Sequence, residues 1–203
     1  MKNILIGCEY SGTVREAFAK LGFNTWSCDL LPTDIPGQHF QCDVREVLDK
    51  GWDLAIFHPS CTYLTNSGVC HLKTDPTRWA KLDEAGEFFR LLLNAPIPRI
   101  AIENPIPHKY AVERIGRKYD QIIQPWQFGH TESKATCLWL KNLPKLVETN
   151  NVKAEMMLLP DRERQRLHYL PPSPDRWKIR SKTYQGIADA IANQYSKALL
   201  ENK

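Results

Sequence analysis

The sequence predicts an α/β domain with a mainly parallel sheet and an antiparallel hairpin at one edge. Three observations predict it. Short apolar runs alternate with stretches of helical periodicity, the pattern of βαβ units. Glycines and polar residues follow those runs, where a parallel sheet opens its ligand crevice. Two late apolar runs, Gln121 to Ile123 and Cys137 to Leu140, have little helix between them and read as a hairpin.

The elements follow in order. Lys2 to Ile6 is a first strand stopped by Gly7. Thr13 to Leu21 carries Val14, Ala17, Phe18 and Leu21 at helical spacing, and Gly22 ends it. Phe23 to Cys28 is a second strand with Asp29 at its end, and Leu54 to Phe57 a third that stops at His58-Pro59-Ser60-Cys61. Trp79 to Leu93 is a long helix with Leu82, Ala85, Phe88, Phe89 and Leu92 on one face. Arg99 to Ile102 is a strand ending in Glu103-Asn104-Pro105. Thr183 to Leu200 is a closing helix with Ile187, Ala190, Ile191 and Ala198 as its apolar face. Residues 142–181 hold five of the fourteen prolines and little periodicity, so they read as a short irregular insertion within one domain spanning 1–203.

With 203 residues, 42% hydrophobic and 25% charged, the chain has the composition of a globular domain. No apolar run approaches the ~20 residues a membrane helix needs, and the start reads as a strand, not a signal peptide; the expected location is the cytoplasm. The six cysteines form no CxxC pair, so no metal is expected. A rival metal set of His58, Cys61, Cys70 and His71 has suitable ligand types but matches no compact zinc spacing. The net charge of +4 is uneven: residues 141–182 carry ten Lys/Arg against five Asp/Glu. A basic stretch beside a near-neutral body suits a polyanion, or is a solvated surface.

Ligands of an open α/β sheet bind beyond the strand carboxyl ends, so those residues hold the chemistry. Gly7-Cys8-Glu9-Tyr10-Ser11-Gly12 joins the first strand to a helix, with small residues that let backbone approach a ligand. Asp29 is placed to accept ribose hydroxyls, and Asp43 to reach an adenine amino group; each is alternatively a turn or cap residue. No GxGxxG or GxxxxGK[ST] is present, so the turn suggests an adenosine-bearing cofactor other than a dinucleotide or triphosphate. The candidate cofactor set is Gly7, Glu9, Ser11, Gly12, Asp29, Asp43 and Pro59. Cys61 beside a helix start and near His58 is a candidate nucleophile. Glu103 is a candidate acid in an enclosed crevice. A thiol and a carboxyl at neighbouring strand ends suit covalent attack on C6 of a pyrimidine, with the acid at N3.

Several segments in order resemble the cytosine-C5 DNA methyltransferase family. The Gly7–Gly12 turn is similar to its cofactor loop, His58-Pro59-Ser60-Cys61 to its Pro-Cys nucleophile motif and Glu103-Asn104-Pro105 to its Glu-Asn-Val motif. Phe128-Gly129-His130-Thr131-Glu132-Ser133-Lys134-Ala135-Thr136 resembles its Gly-Val-Pro-Gln-x-Arg-x-Arg motif, with Glu132-x-Lys134-x-Thr136 in place of the last triplet. Tyr184 to Ile191 resembles its final motif. The resemblance spans most of the chain apart from residues 142–181, and the short length is similar to phage and prophage members.

The resemblance implies a Rossmann-like class I S-adenosylmethionine-dependent methyltransferase fold, S-adenosyl-L-methionine as cofactor and DNA as partner. It implies a monomer in the cytoplasm of a bacterium or a phage-infected host. Cys61 and Glu103 would be catalytic, with Lys134 on a phosphate or base oxygen. Ser60, Asn104, Arg176, Lys178 and Arg180 would contact substrate, with Trp177 as a stacking candidate and Trp139 in the core. About forty residues stand where the family has a large target-recognition region, which implies low sequence specificity. The alternatives are a methyltransferase for free nucleotide, single-stranded DNA or RNA, and a degenerate relative that binds nucleic acid without turnover.

Overall fold

The structure, a computed structural model, describes residues 1–201. β1 (Asn3–Gly7), α1 (Thr13–Ala19), β2 (Asn24–Asp29), β3 (His39–Gln41) and β4 (Leu54–Phe57) come first. α2 (His71–Thr74), α3 (Thr77–Leu93), β5 (Ile100–Pro105), α4 (Lys109–Ile115), β6 (Gln121–Ile123) and β7 (Thr136–Lys141) follow. The chain closes with α5 (Lys153–Leu158), α6 (Asp161–Arg164), α7 (Arg176–Ser181) and α8 (Gln185–Glu201). The strands form one seven-stranded sheet in the order β3-β2-β1-β4-β5-β7-β6. β1 to β5 pair in parallel, and β7 runs antiparallel to both β5 and β6. The architecture is Rossmann-like α/β with the expected edge hairpin.

Successive strand side chains point to opposite faces of the sheet. Ile4 and Ile6 pack with Val14 and Phe18 of α1 and with Ile187, Ile191 and Tyr195 of α8. Leu5 packs on the other side with Phe89 and Leu92 of α3 and with Trp139. Both faces are covered, which is why the central strands read as unbroken apolar runs rather than alternating ones.

Several boundaries differ from the sequence reading. β5 continues through Pro105, because β7 pairs with its last residues: Glu103 faces Leu138, Asn104 faces Cys137 and Pro105 faces Thr136. β3 is too short to show periodicity. α4 begins at a cap the apolar pattern does not reveal, His108, whose ring accepts the Ala111 N–H, and stops at Gly116 with φ 84°. α8 starts at Gln185 and buries Tyr195 and Leu199 rather than Ala198. The segment 142–181, read as irregular, carries the three short helices α5 to α7. Among the described residues no helix is long and apolar enough to cross a membrane.

Gly7 stands opposite Phe57 in the β1–β4 ladder. A Cβ there would lie 2.4 Å from the Phe57 ring and 2.9 Å from Val44. Gly7→Ala is therefore expected to overpack the strand ends and cost about 1–3 kcal/mol. Urea unfolding should show a lower midpoint at unchanged slope; an unmoved midpoint would mean that Phe57 has room to turn aside.

Candidate active site

The chain leaves β1 toward β2 on one side, and β4 lies on the other, so the crevice opens at the carboxyl ends of β1 and β4. A cleft of about 640 Å³ occupies that place. Its walls are Cys8 to Ser11 after β1, His58 to Thr62 after β4, Glu103 to Pro105 in β5, Lys134 before β7, and parts of residues 172–183 around α7. A second lobe of about 320 Å³ shares Tyr10, His58 and Trp177 with the first and reaches Asp29 and Asp43.

Pairing of Phe57 with Ile102 makes His58 and Glu103 the next opposed residues beyond the β4–β5 ladder. His58 Nδ1 lies 3.2 Å from Glu103 Oε2. The Asn104 amide is buried and donates to the Pro59 carbonyl at 2.9 Å, which ties the Cys61 loop to β5. The Cys61 carbonyl accepts the Leu64 and Thr65 N–H groups, so the residue opens a tight turn. Ser60 Oγ is exposed and lies 3.0 Å from Thr62 Oγ1.

Electrostatics in this wall are opposed. Burial pushes the Cys61 thiol up, the Glu103 carboxylate pushes it further, and Lys134 and Arg180 pull it back. Burial raises Glu103, but the His58 hydrogen bond and charge, with Lys134 and Thr136, outweigh it and hold the carboxyl below its usual range.

Glu9, 6% exposed, serves the opposite wall. Its Oε1 accepts from Ser11 Oγ at 2.8 Å and from the Val14 N–H at 3.0 Å, which caps α1. Its Oε2 is buried without a hydrogen-bond partner among the described residues. The flanking glycines, expected to admit a ligand, do not line the cleft. Gly7 accommodates Phe57, and Gly12, at φ 75°, accommodates the Arg15 guanidinium and Ile35. Asp29 accepts the Leu31 N–H at 3.0 Å, and burial raises its pKa. Asp43 caps the turn Val44–Glu46 and holds the Arg45 guanidinium, which keeps its carboxyl below the usual range. Both aspartates line the second lobe, but the Asp43 carboxylate faces Arg45 instead of standing free for an adenine amino group.

The α7 segment roofs the cleft. The Tyr10 hydroxyl donates to the Lys178 carbonyl at 3.3 Å, and its ring centroid lies 5.7 Å from that of Trp177. Lys134 Nζ donates to the Arg180 carbonyl at 2.9 Å. The expected substrate cations therefore divide. Arg176 lines the cleft but donates to the Leu170 and His168 carbonyls. Lys178 lies off the wall, 3.8 Å from Asp175. Arg180 is on the wall and its charge is felt at Cys61.

Sequence reasoning did not anticipate the His58–Glu103 contact or the Tyr10–Trp177 wall. The first has a sequence signal, since His58 and Glu103 each stand just past an apolar β run; the strand order that makes those runs neighbours does not. Among the described residues no group of three or more His, Cys, Asp or Glu is placed to hold a metal.

No protein-family model and no curated protein matches the sequence. Among solved structures, one similar chain is described as a putative DNA modification methyltransferase encoded within an E. coli prophage. The identity is 17% over 79% of this chain and 56% of that one, with a TM-score of 0.47. DNMT2 of Spodoptera frugiperda is similar at 15% identity over 75% of this chain and 54% of its own, with a TM-score of 0.38. WbdD, crystallised with a kinase inhibitor, is similar at 13% identity over 73% and 37%, with a TM-score of 0.40. The chain thus spans less than two thirds of each of these structures.

The thiol electrostatics can be read without turnover. Alkylation of Cys61 by iodoacetamide, followed by peptide mass spectrometry with exposed Cys70 as internal reference, should speed up with pH. Glu103→Gln removes a negative charge, lowers the thiol pKa and should raise the Cys61 rate at pH 8 severalfold, since one pKa unit is about tenfold in thiolate. Lys134→Met should slow it. Equal rates in all three proteins would show that Cys61 does not sense these charges.

Proposed function

We propose that the chain is an S-adenosylmethionine-dependent methyltransferase that acts on C5 of cytosine in DNA through a covalent Cys61 adduct. The observation that carries this reading is one cleft holding the Cys61 thiol and the Glu103 carboxyl on adjacent strand ends. The other wall suits the cofactor. A buried carboxylate oxygen without a partner, Glu9 Oε2, calls for a cationic donor, and the ammonium of S-adenosylmethionine is one. Ser11 and Pro59 flank that position, Asp29 offers a carboxylate toward ribose hydroxyls, and Tyr10 and Trp177 give an apolar wall.

When bound, S-adenosylmethionine supplies the electrophilic methyl group that C5 takes. The chain supplies the rest. Cys61 as thiolate bonds to C6, and Glu103 engages N3 and the exocyclic amino group, where negative charge builds. Asn104 holds the nucleophile loop against β5. Lys134 and Arg180 stand where a phosphate of the target nucleotide would sit. Loss of the C5 proton then expels Cys61.

A second reading, a nucleotide or single-stranded substrate, is favoured by one observation. Several cations of the basic segment are engaged inside the protein: Arg164 with Asp161, Arg166 with Glu132, Lys182 with Asp34, and Arg176 with carbonyls. That removes four of the ten cations of the segment from a row of phosphates. Labelled S-adenosylmethionine with duplex DNA, single-stranded DNA, RNA and dCMP separates the two.

For the chemistry, a 5-fluorocytosine substrate should leave a denaturant-stable, cofactor-dependent adduct with wild type and none with Cys61→Ser. Methylation by Cys61→Ser at the wild-type rate would sink the covalent scheme. For the partner, Arg180→Ala should weaken DNA binding alike across sequences and lower the salt slope by about one, while Lys178→Ala should change little. Equal slopes for wild type and Arg180→Ala would remove Arg180 from the interface.

A further inference from the structure

One group in the cleft has no part in the scheme above. His58 Nδ1 lies 3.2 Å from Glu103 Oε2, and the two side chains are 10% and 20% exposed. His58 Nε2 is buried and has no hydrogen-bond partner among the described residues, so the ring's polar contact runs through Glu103. The His58 backbone N–H donates to the Gly7 carbonyl at 3.0 Å, which fixes the base of the ring. The titratable and charged groups facing the pair are Lys134 and Cys137 from the β7 side, Cys61 from the following loop, Cys8 and Glu9 from the first turn, and Arg176 and Arg180 from α7.

We propose that His58 is a positioning residue that holds, through its contact with Glu103, the proton that Glu103 delivers to N3 of the substrate ring. The proposal rests on the C5-cytosine reading of the cleft. A carboxyl alone is a poor proton store near neutral pH, because it titrates near about 4.3 while imidazole titrates near about 6.5. The Nδ1–Oε2 contact of 3.2 Å lets a proton pass between the two groups, so the imidazole can supply what the carboxyl alone does not hold.

The step balances. When Cys61 Sγ bonds to C6, the C5=C6 electron pair moves to C4–C5 and the C4=N3 pair moves onto N3. The pair's proton starts on His58 Nδ1 beside the ionised Glu103; Glu103 Oε2 takes it and hands it to N3, which leaves His58 neutral and Glu103 ionised. When Cys61 is expelled, N3 returns its proton to Glu103 and Glu103 returns it to His58. The C5 proton leaves to water, and the pair ends each cycle as it began.

The test is the rate of fluorocytosine adduct formation in a single turnover against pH, with S-adenosylmethionine present. Wild type, His58→Asn and His58→Gln are compared. Asparagine keeps an N–H near the place of Nδ1 but does not titrate. The alkaline falling limb of wild type should move to lower pH in His58→Asn, and the rate at pH 7.5 should fall by about a hundredfold. A wild-type adduct with an unchanged rate and profile in His58→Asn overturns the role of His58 and leaves the C5 reading standing. No adduct in wild type overturns both. Cofactor-binding calorimetry reports folding of the variants. If both substitutions abolished it, the ring would be a packing group and the proposal would fail.

Discussion

Phe57 is paired with Ile102 in the parallel ladder of β4 and β5, and the geometry of the cleft follows from that register. One residue further along, His58 meets Glu103; three residues beyond that, Cys61 begins a turn held to β5 by the Asn104–Pro59 hydrogen bond. β7 adds a second constraint by pairing antiparallel with Glu103, Asn104 and Pro105. The backbone under the carboxyl is thus part of a ladder, whereas the thiol rides on a loop. A carboxyl on a ladder and a thiol on a loop suit the proposed reaction, in which the thiol would travel to form and break a bond while the acid holds its distance from the ring.

The same closeness sets a conflict. The proposed chemistry wants a thiolate at Cys61, yet the nearest carboxylate disfavours it and burial disfavours it more. Lys134 and Arg180 oppose both, and Lys134 also helps keep Glu103 ionised. Bringing in a ring that draws on Glu103 for a proton would reduce that negative charge next to the thiol. In the proposed reaction, activation of Cys61 and engagement of N3 would then be coupled through Coulomb's law at short range, with no moving part required.

The layered fold was legible because the apolar runs at β1, β4 and β5 and the helical faces of α3 and α8 are long enough to carry a period. Cys61 and Glu103 were legible as strand-end residues. β3 and α4 were not, being too short for periodicity and set by neighbours: β3 by pairing with β2, α4 by the His108 cap and Gly116 stop. The glycine turn was read as a ligand cradle, but residue type alone does not say what a missing Cβ makes room for; at Gly7 it is Phe57, and at Gly12 it is Arg15. Charge counting over 141–182 had the same weakness. A sum of charges is blind to pairing, and Arg166, Arg164 and Lys182 each find a carboxylate within the fold.

Within the basic segment, α7 roofs the cleft. α7 buries no residue of its own, and it is held over the cleft by the Tyr10 hydroxyl, by Lys134 and, just beyond its end, by the Lys182–Asp34 ion pair. Single hydrogen bonds of this kind contribute about 0.5–1.5 kcal/mol each, and an exposed ion pair about 0–1 kcal/mol. Their sum is well below the roughly 5–15 kcal/mol that unfolds a whole domain. Displacing the roof is therefore a local event, available without disturbing the sheet beneath. Two of these ties begin on side chains of the cleft itself, Tyr10 on the wall proposed for the cofactor and Lys134 on the wall proposed for the substrate. Any ligand that draws either side chain to itself also loosens α7, so occupancy of one lobe and the position of the roof over the other are linked through the same two residues.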